Sequence, residues 1–186
     1  MRHPLDWFSG KTGIVLVDDW LTHPETPDVI TLALPGYRQT NTFACGFTAA
    51  CMVVHHFYPR RSINRLYELV RPDTEMGTST ARLKQALRKS GLAVQERDDL
   101  KWTDIHRAIE SNCPVIVKVT TRKPDVLHWC VIYGTGKKPN RVFLAGVGTP
   151  LIGRKEFSFF EFSAAKWETR GFGLICRKQQ GKLAAG

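Results

Sequence analysis

From Cys45 to Phe57 the chain reads Cys-Gly-Phe-Thr-Ala-Ala-Cys-Met-Val-Val-His-His-Phe, with hardly a polar face before the two histidines, and Pro59 closes it. A helix that is apolar all round has to be buried all round. At this length it cannot span a membrane, which takes about 20 apolar residues. The stretch therefore predicts a central helix over 45–58 around which the other elements must pack.

Enough chain surrounds it. The 186 residues suit one domain with a single core. Segments 62–70 and 80–90 read as amphipathic helices, capped by Ser62 and by Thr78-Ser79. A third helix is predicted over 103–112, with Thr103 as its cap. Short strands are predicted over 13–17, over 28–34 with a stop at Pro35-Gly36, and over 92–96. From Pro114 the period changes to alternation, giving strands over 115–120, 128–134 and 141–147. A short helix over 158–167 and a last strand over 172–177 follow. The expectation is an α+β domain over 1–180, with helices packed on a mostly antiparallel sheet. Residues 1–27 would form an N-terminal extension and 181–186 a flexible tail.

Charge and cysteine content narrow the function. The net charge of +10 permits an anionic partner. The positive residues are nevertheless scattered: Arg60-Arg61, then Arg82, Lys84, Arg88 and Lys89, then Lys137-Lys138 and Arg141, then Arg177-Lys178. Scatter without a recognisable nucleic-acid motif counts against a nucleic-acid-binding protein. Five cysteines, an odd number without regular spacing, argue against a disulfide framework. No segment looks like a signal peptide or a membrane span, so the expectation is a cytoplasmic protein with no membrane partner. The histidines lack ligand spacing, so neither a metal nor another cofactor is expected.

The chemistry-bearing candidate is the first residue of the central helix. A helix N-terminus carries partial positive charge and unpaired amides, and a thiol placed there ionises more readily. Cys51, mid-helix, and Cys113, just before a strand, read as buried structural thiols. Cys45 also precedes Gly46, which lets another backbone approach. His128 opens a strand in which it shares a face with Cys130, so it can present its ring at a cleft edge. His55 and His56 sit about three helical turns from Cys45, roughly 15 Å away. Gln39, six residues before Cys45, carries a neutral amide donor suited to an oxyanion.

Gln39 with Cys45-Gly46 at this spacing, the helix that follows, and His128-Trp-Cys-Val-Ile-Tyr-Gly together resemble the papain-like cysteine peptidases. The bacterial branch of double-glycine leader peptidases and its stand-alone relatives is the nearest likeness. The pre-motif Leu34-Pro-Gly-Tyr-Arg-Gln, the run Gly77-Thr-Ser-Thr, Pro114-Val-Ile-Val and Phe159-Phe-Glu-Phe resemble that branch in the same order, over roughly 28–177. The resemblance implies Cys45 as nucleophile, His128 as base and then acid, and Gln39 in the oxyanion hole. It implies a peptide or protein substrate and no cofactor. Gly46 and Trp129 would line the substrate site, and Arg122 and Lys123, just before His128, point to an acidic substrate.

The family places an Asp or Asn at the end of the strand after the histidine. Here that strand ends Leu144-Ala145-Gly146, and Ala145 or Gly146 stands in its place. Asn140, Asp125 and Thr149 are the side chains nearby in sequence that could substitute. The gap keeps two other readings open: a peptide-binding module that has lost catalysis, and an amidase or acyl transferase working through the same thioester.

Overall fold

The computed structural model describes residues 14–21, 27–39, 41, 43–120, 127–146, 155–167 and 171–179. The central helix is α1 (Cys45–Phe57), and every side chain from Cys45 to His55 is buried. Full burial of residues such as Phe47, Met52 and Val54 contributes about 1.5–3 kcal/mol each. That burial comes from three sides. The helices α2 (Ile63–Val70) and α3 (Thr80–Lys89) cover one flank, where the Phe47 and Tyr67 rings meet edge-on at 5.1 Å. A strand of a small sheet covers another, and the main sheet the third.

The small sheet pairs β1 (Ile14–Leu21) antiparallel with β3 (Leu34–Gln39). Between them β2 (Val29–Thr31) belongs to the other sheet. This corrects the single strand over 28–34: the run splits at Leu32-Ala33, and pairing continues through Pro35 and Gly36 to Gln39. Proline ends a central strand because it has no N–H to give, but at the edge of a two-stranded sheet only one side needs pairing.

The main sheet has seven strands, all antiparallel. Its order is β4 (Leu92–Arg97), β9 (Gly173–Lys178), β5 (Val115–Thr120), β6 (Leu127–Gly136), β7 (Arg141–Ala145) and β8 (Lys155–Ser158), with β2 paired to β6. One edge of β6 pairs with β5 over 127–132 and with β2 over 134–136; the other pairs with β7. β6 is thus hydrogen-bonded on both edges over most of its length, and His128 stands at the end where β7 has already stopped. α4 (Trp102–Glu110) packs against β5 and β6. The α+β expectation holds, with two refinements. β8 was not read in the sequence, and the helix over 158–167 is a single turn, α5 (Phe159–Glu161), run into a π-helical turn over Phe162–Lys166.

Helix ends follow their caps. The Ser62 and Ser79 hydroxyls accept from Arg65 and Arg82 amides, each at 3.3 Å, as the sequence suggests. α4 instead begins at Trp102, not at a Thr103 cap, because the Asp104 carboxylate reaches back to the Lys101 amide at 2.9 Å.

Candidate active site

The start of α1 is electrostatically open. Among the described residues no side chain caps it, and its first turn holds no acidic residue. The one turn bond there comes just before, where Ala44 N–H donates to the Asn41 side chain at 2.9 Å. The positive end of the helix is therefore left to Cys45 itself. Cys45 is 6% exposed, and its thiol is hydrogen-bonded to the His128 ring. The main-chain amides of Trp129 and Gly46 lie near the sulfur and favour its ionised form. Burial by itself pushes the thiol up, but the bond to His128, its charge and the two amides together bring the Cys45 pKa below the usual thiol value. The other half of the pair moves oppositely. Burial pulls His128 down, and the bond to the Cys45 sulfur with its charge more than offsets it, so His128 lies above the ordinary imidazole value. The two shifts run in the direction that favours a thiolate beside an imidazolium.

Approach of α1 to β6 depends on Gly46. A Cβ there would lie 2.6 Å from Thr78 Cβ and 3.0 Å from Trp129 Cδ1. Thr78 is held by the Trp129 indole, whose Nε1 donates to its carbonyl at 2.9 Å. It closes a tight loop in which Asp73 and Gly77 exchange both main-chain bonds, and the Asp73 carboxylate accepts from the Glu75 and Met76 amides. The Thr78 hydroxyl itself is buried and has no hydrogen-bond partner among the described residues. Thr78→Val is therefore expected to keep the shape and remove the orphan, raising stability by up to about 1 kcal/mol in a denaturant titration. A drop in midpoint would mean that the hydroxyl is being used.

On its far side the imidazole meets main chain. His128 Nε2 donates to the Gly146 carbonyl at 2.5 Å, which leaves Nδ1 for the thiol. Asn140 is not near: it lies in the turn joining β6 to β7, at the opposite end of β6 from His128. Asp125, Thr149, Arg122 and Lys123 fall outside the described residues.

The profile of the peptidase C39 family matches residues 34–178. The chain belongs to the peptidase C39 family. It is accordingly a cysteine peptidase-type hydrolase.

Solved structures carry the same fold. The peptidase domain of Streptococcus ComA, a bi-functional ABC transporter involved in quorum sensing, superposes with a TM-score of 0.59 at 20% identity. The match covers 83% of this chain and 100% of that domain. A double glycine motif protease from an AMS/PCAT transporter, solved with its leader peptide, gives 0.58 at 14% identity, with 83% and 100% covered. A C39-like peptidase from Bacillus anthracis gives 0.54 at 11%, with 90% and 99% covered. No protein of curated function matches the sequence significantly.

Within this C39 domain the structure sorts the candidates. Cys45 and His128 meet. Gln39 ends β3 with its side chain 9% exposed, on the strand that packs against α1. Gly46 and Trp129 pack closely: Trp129 is 5% exposed, and its ring lies against Gly46. What Trp129 offers the site is its amide. The other described histidines are engaged elsewhere. His55 accepts from the Tyr37 hydroxyl and donates to the Arg61 carbonyl, His56 lies between Ala33 O and the Asn112 side chain, and His106 bonds Thr135. Among the described residues no group of three or more His, Cys, Asp or Glu is placed to hold a metal. Among them also, no helix is long and apolar enough to cross a membrane.

Proposed function

We propose that this C39 domain hydrolyses a peptide bond through an acyl thioester on Cys45. The observation that carries the reading is the placement of buried Cys45, at the start of α1, against the His128 ring of β6 in a C39 domain. The Cys45 thiolate attacks the scissile carbonyl carbon, forming the C–S bond and an oxyanion. The Gln39 side-chain amide donates to that oxyanion. His128, protonated, gives its proton to the leaving amine as the C–N bond breaks. Water then enters, His128 takes its proton, and hydroxide displaces the thiolate, releasing a carboxylate and restoring the pair. A peptide as substrate is supported by the leader peptide bound to the AMS/PCAT relative. The same likeness makes a bond after a Gly-Gly pair the first to try.

Two measurements test this. Synthetic leader-type peptides with a Gly-Gly pair, incubated with the protein and read by mass spectrometry, are expected to be cut by wild type and left whole by Cys45→Ala. Iodoacetamide at neutral pH is expected to modify Cys45 alone of the five cysteines. Burial pushes Cys51, Cys113, Cys130 and Cys176 up, so their thiols stay protonated and unreactive. A Cys45 that labels no faster than these four would sink the catalytic reading in favour of a binding module.

A further inference from the structure

Among the described residues no Asp or Asn side chain holds the His128 ring, yet the ring is hydrogen-bonded. We propose that the main-chain carbonyl of Gly146 is the positioning group for His128, doing with a peptide oxygen what an Asp or Asn side chain would do. The inference rests on the Cys45–His128 pairing proposed above, and extends it to a group that no side-chain motif can record.

Three observations meet at this oxygen. His128 Nε2 donates to it at 2.5 Å. Cys130, two residues along β6 on the same face, places its Sγ 3.7 Å from the same oxygen, a weak second donor that helps fix the peptide plane. And Gly146 has φ +85, left-handed backbone that glycine adopts freely. Crowding does not explain the glycine, because a Cβ there would come no closer than 3.7 Å to Trp129 O. The backbone angle explains it. At the end of β7 the chain turns through this angle, and the carbonyl is directed at His128 instead of continuing the ladder with β6.

The chemical consequence is specific. A carbonyl accepts and cannot donate, so it fixes the proton on Nε2 and leaves Nδ1 to exchange with Cys45. It is also neutral. It favours the imidazolium by hydrogen bonding alone, where a carboxylate would add a full opposite charge.

The test reads the ring and does not need turnover. Full-length protein carrying Cys45→Ala is labelled with nitrogen-15 in histidine and followed by NMR across pH. The expected result is a resolved, slowly exchanging, downfield Nε2–H resonance for His128. In the same background Gly146→Val is expected to lose that resonance and lower the His128 titration midpoint, because a β-branched residue does not settle at positive φ. Gly146→Asn is expected to keep both, because Asn visits the left-handed region. A neutral His128 ring carrying its proton on Nδ1, or an Nε2–H in fast exchange with water, would overturn the proposal from the parent protein alone, even if the Val variant failed to fold. A folded Val variant with the parent's resonance and midpoint would also overturn it. Failure of peptide cleavage with a protected Nε2–H would count against the hydrolase reading and leave the positioning intact.

Discussion

His128→Ala is expected to lower peptide hydrolysis by at least about 10³-fold, and to move the pH dependence of Cys45 alkylation upward. The direction follows from the causes of the shift. Burial alone would raise the Cys45 pKa; the His128 hydrogen bond and charge are the largest of the groups that reverse it. Without the imidazole only the Trp129 and Gly46 amides, the smallest contributions, are left to oppose burial. In wild type the thiolate persists as pH falls below the free-thiol value of about 8.5, until the depressed pKa is crossed. In the variant labelling begins only at higher pH. Hydrolysis has a second limb. His128 must be protonated to expel the amine, and its pKa is raised, so activity is expected to persist above the ordinary imidazole value of about 6.5 and fall only at higher pH. The two limbs belong to the pair and not to either residue singly. Iodoacetamide labelling rates and turnover, measured over the same pH series for both proteins, check this. Coincident labelling curves would mean that His128 does not set the thiol's ionisation.

The meeting of Cys45 with His128 was legible in the sequence because side chains carried it. A cysteine at the first turn of an all-apolar helix and a histidine at the mouth of an alternating strand are both position-and-type signals, and the fold brings them together. The fold class was legible for the same reason: the segment over 45–58 left no alternative to burial, and alternation after Pro114 marked the sheet. What escaped the sequence is carried by main chain. The Trp129 amide facing the sulfur and the Gly146 carbonyl facing the imidazole have no residue type, and a search for Asp or Asn passes over them. Only the glycine hinted at it, and a lone glycine at a strand end has many uses. The Trp129 ring packs where α1 comes close at Gly46, a contact set by the tertiary approach of two distant segments. The split of 28–34 into β2 and a strand of the other sheet was hidden because both halves are strand formers, and which sheet each joins is decided by partners far along the chain.

Gly46→Ala is the other large effect expected, and it separates the packing of the site from its chemistry. In an isolated helix the change would gain up to about 1 kcal/mol of propensity. Here the added methyl meets Thr78 Cβ at 2.6 Å, Thr78 Oγ1 at 2.9 Å and Trp129 Cδ1 at 3.0 Å. Thr78 cannot swing aside easily. Its carbonyl is bonded to the Trp129 indole, and Ser79 beside it caps α3. The start of α1 has to move off β6, at an overpacking cost of about 1–3 kcal/mol. The net expectation is a loss of about 1–2 kcal/mol in a denaturant titration, since the first helical turn gains little of the propensity term. Activity should suffer more. Cys45 moves with its neighbour, and a displacement near 1 Å between reacting groups can cost about 10²-fold. Thr78→Gly in the same protein removes the nearest obstruction, Cβ and hydroxyl together, and is expected to restore part of both losses despite the flexibility it adds. The two substitutions should therefore be strongly non-additive, as touching residues are. Simple additivity of Gly46→Ala and Thr78→Gly, in stability or in Cys45 labelling rate, would mean that the closeness of α1 to β6 at Gly46 is not what holds the thiol to the imidazole.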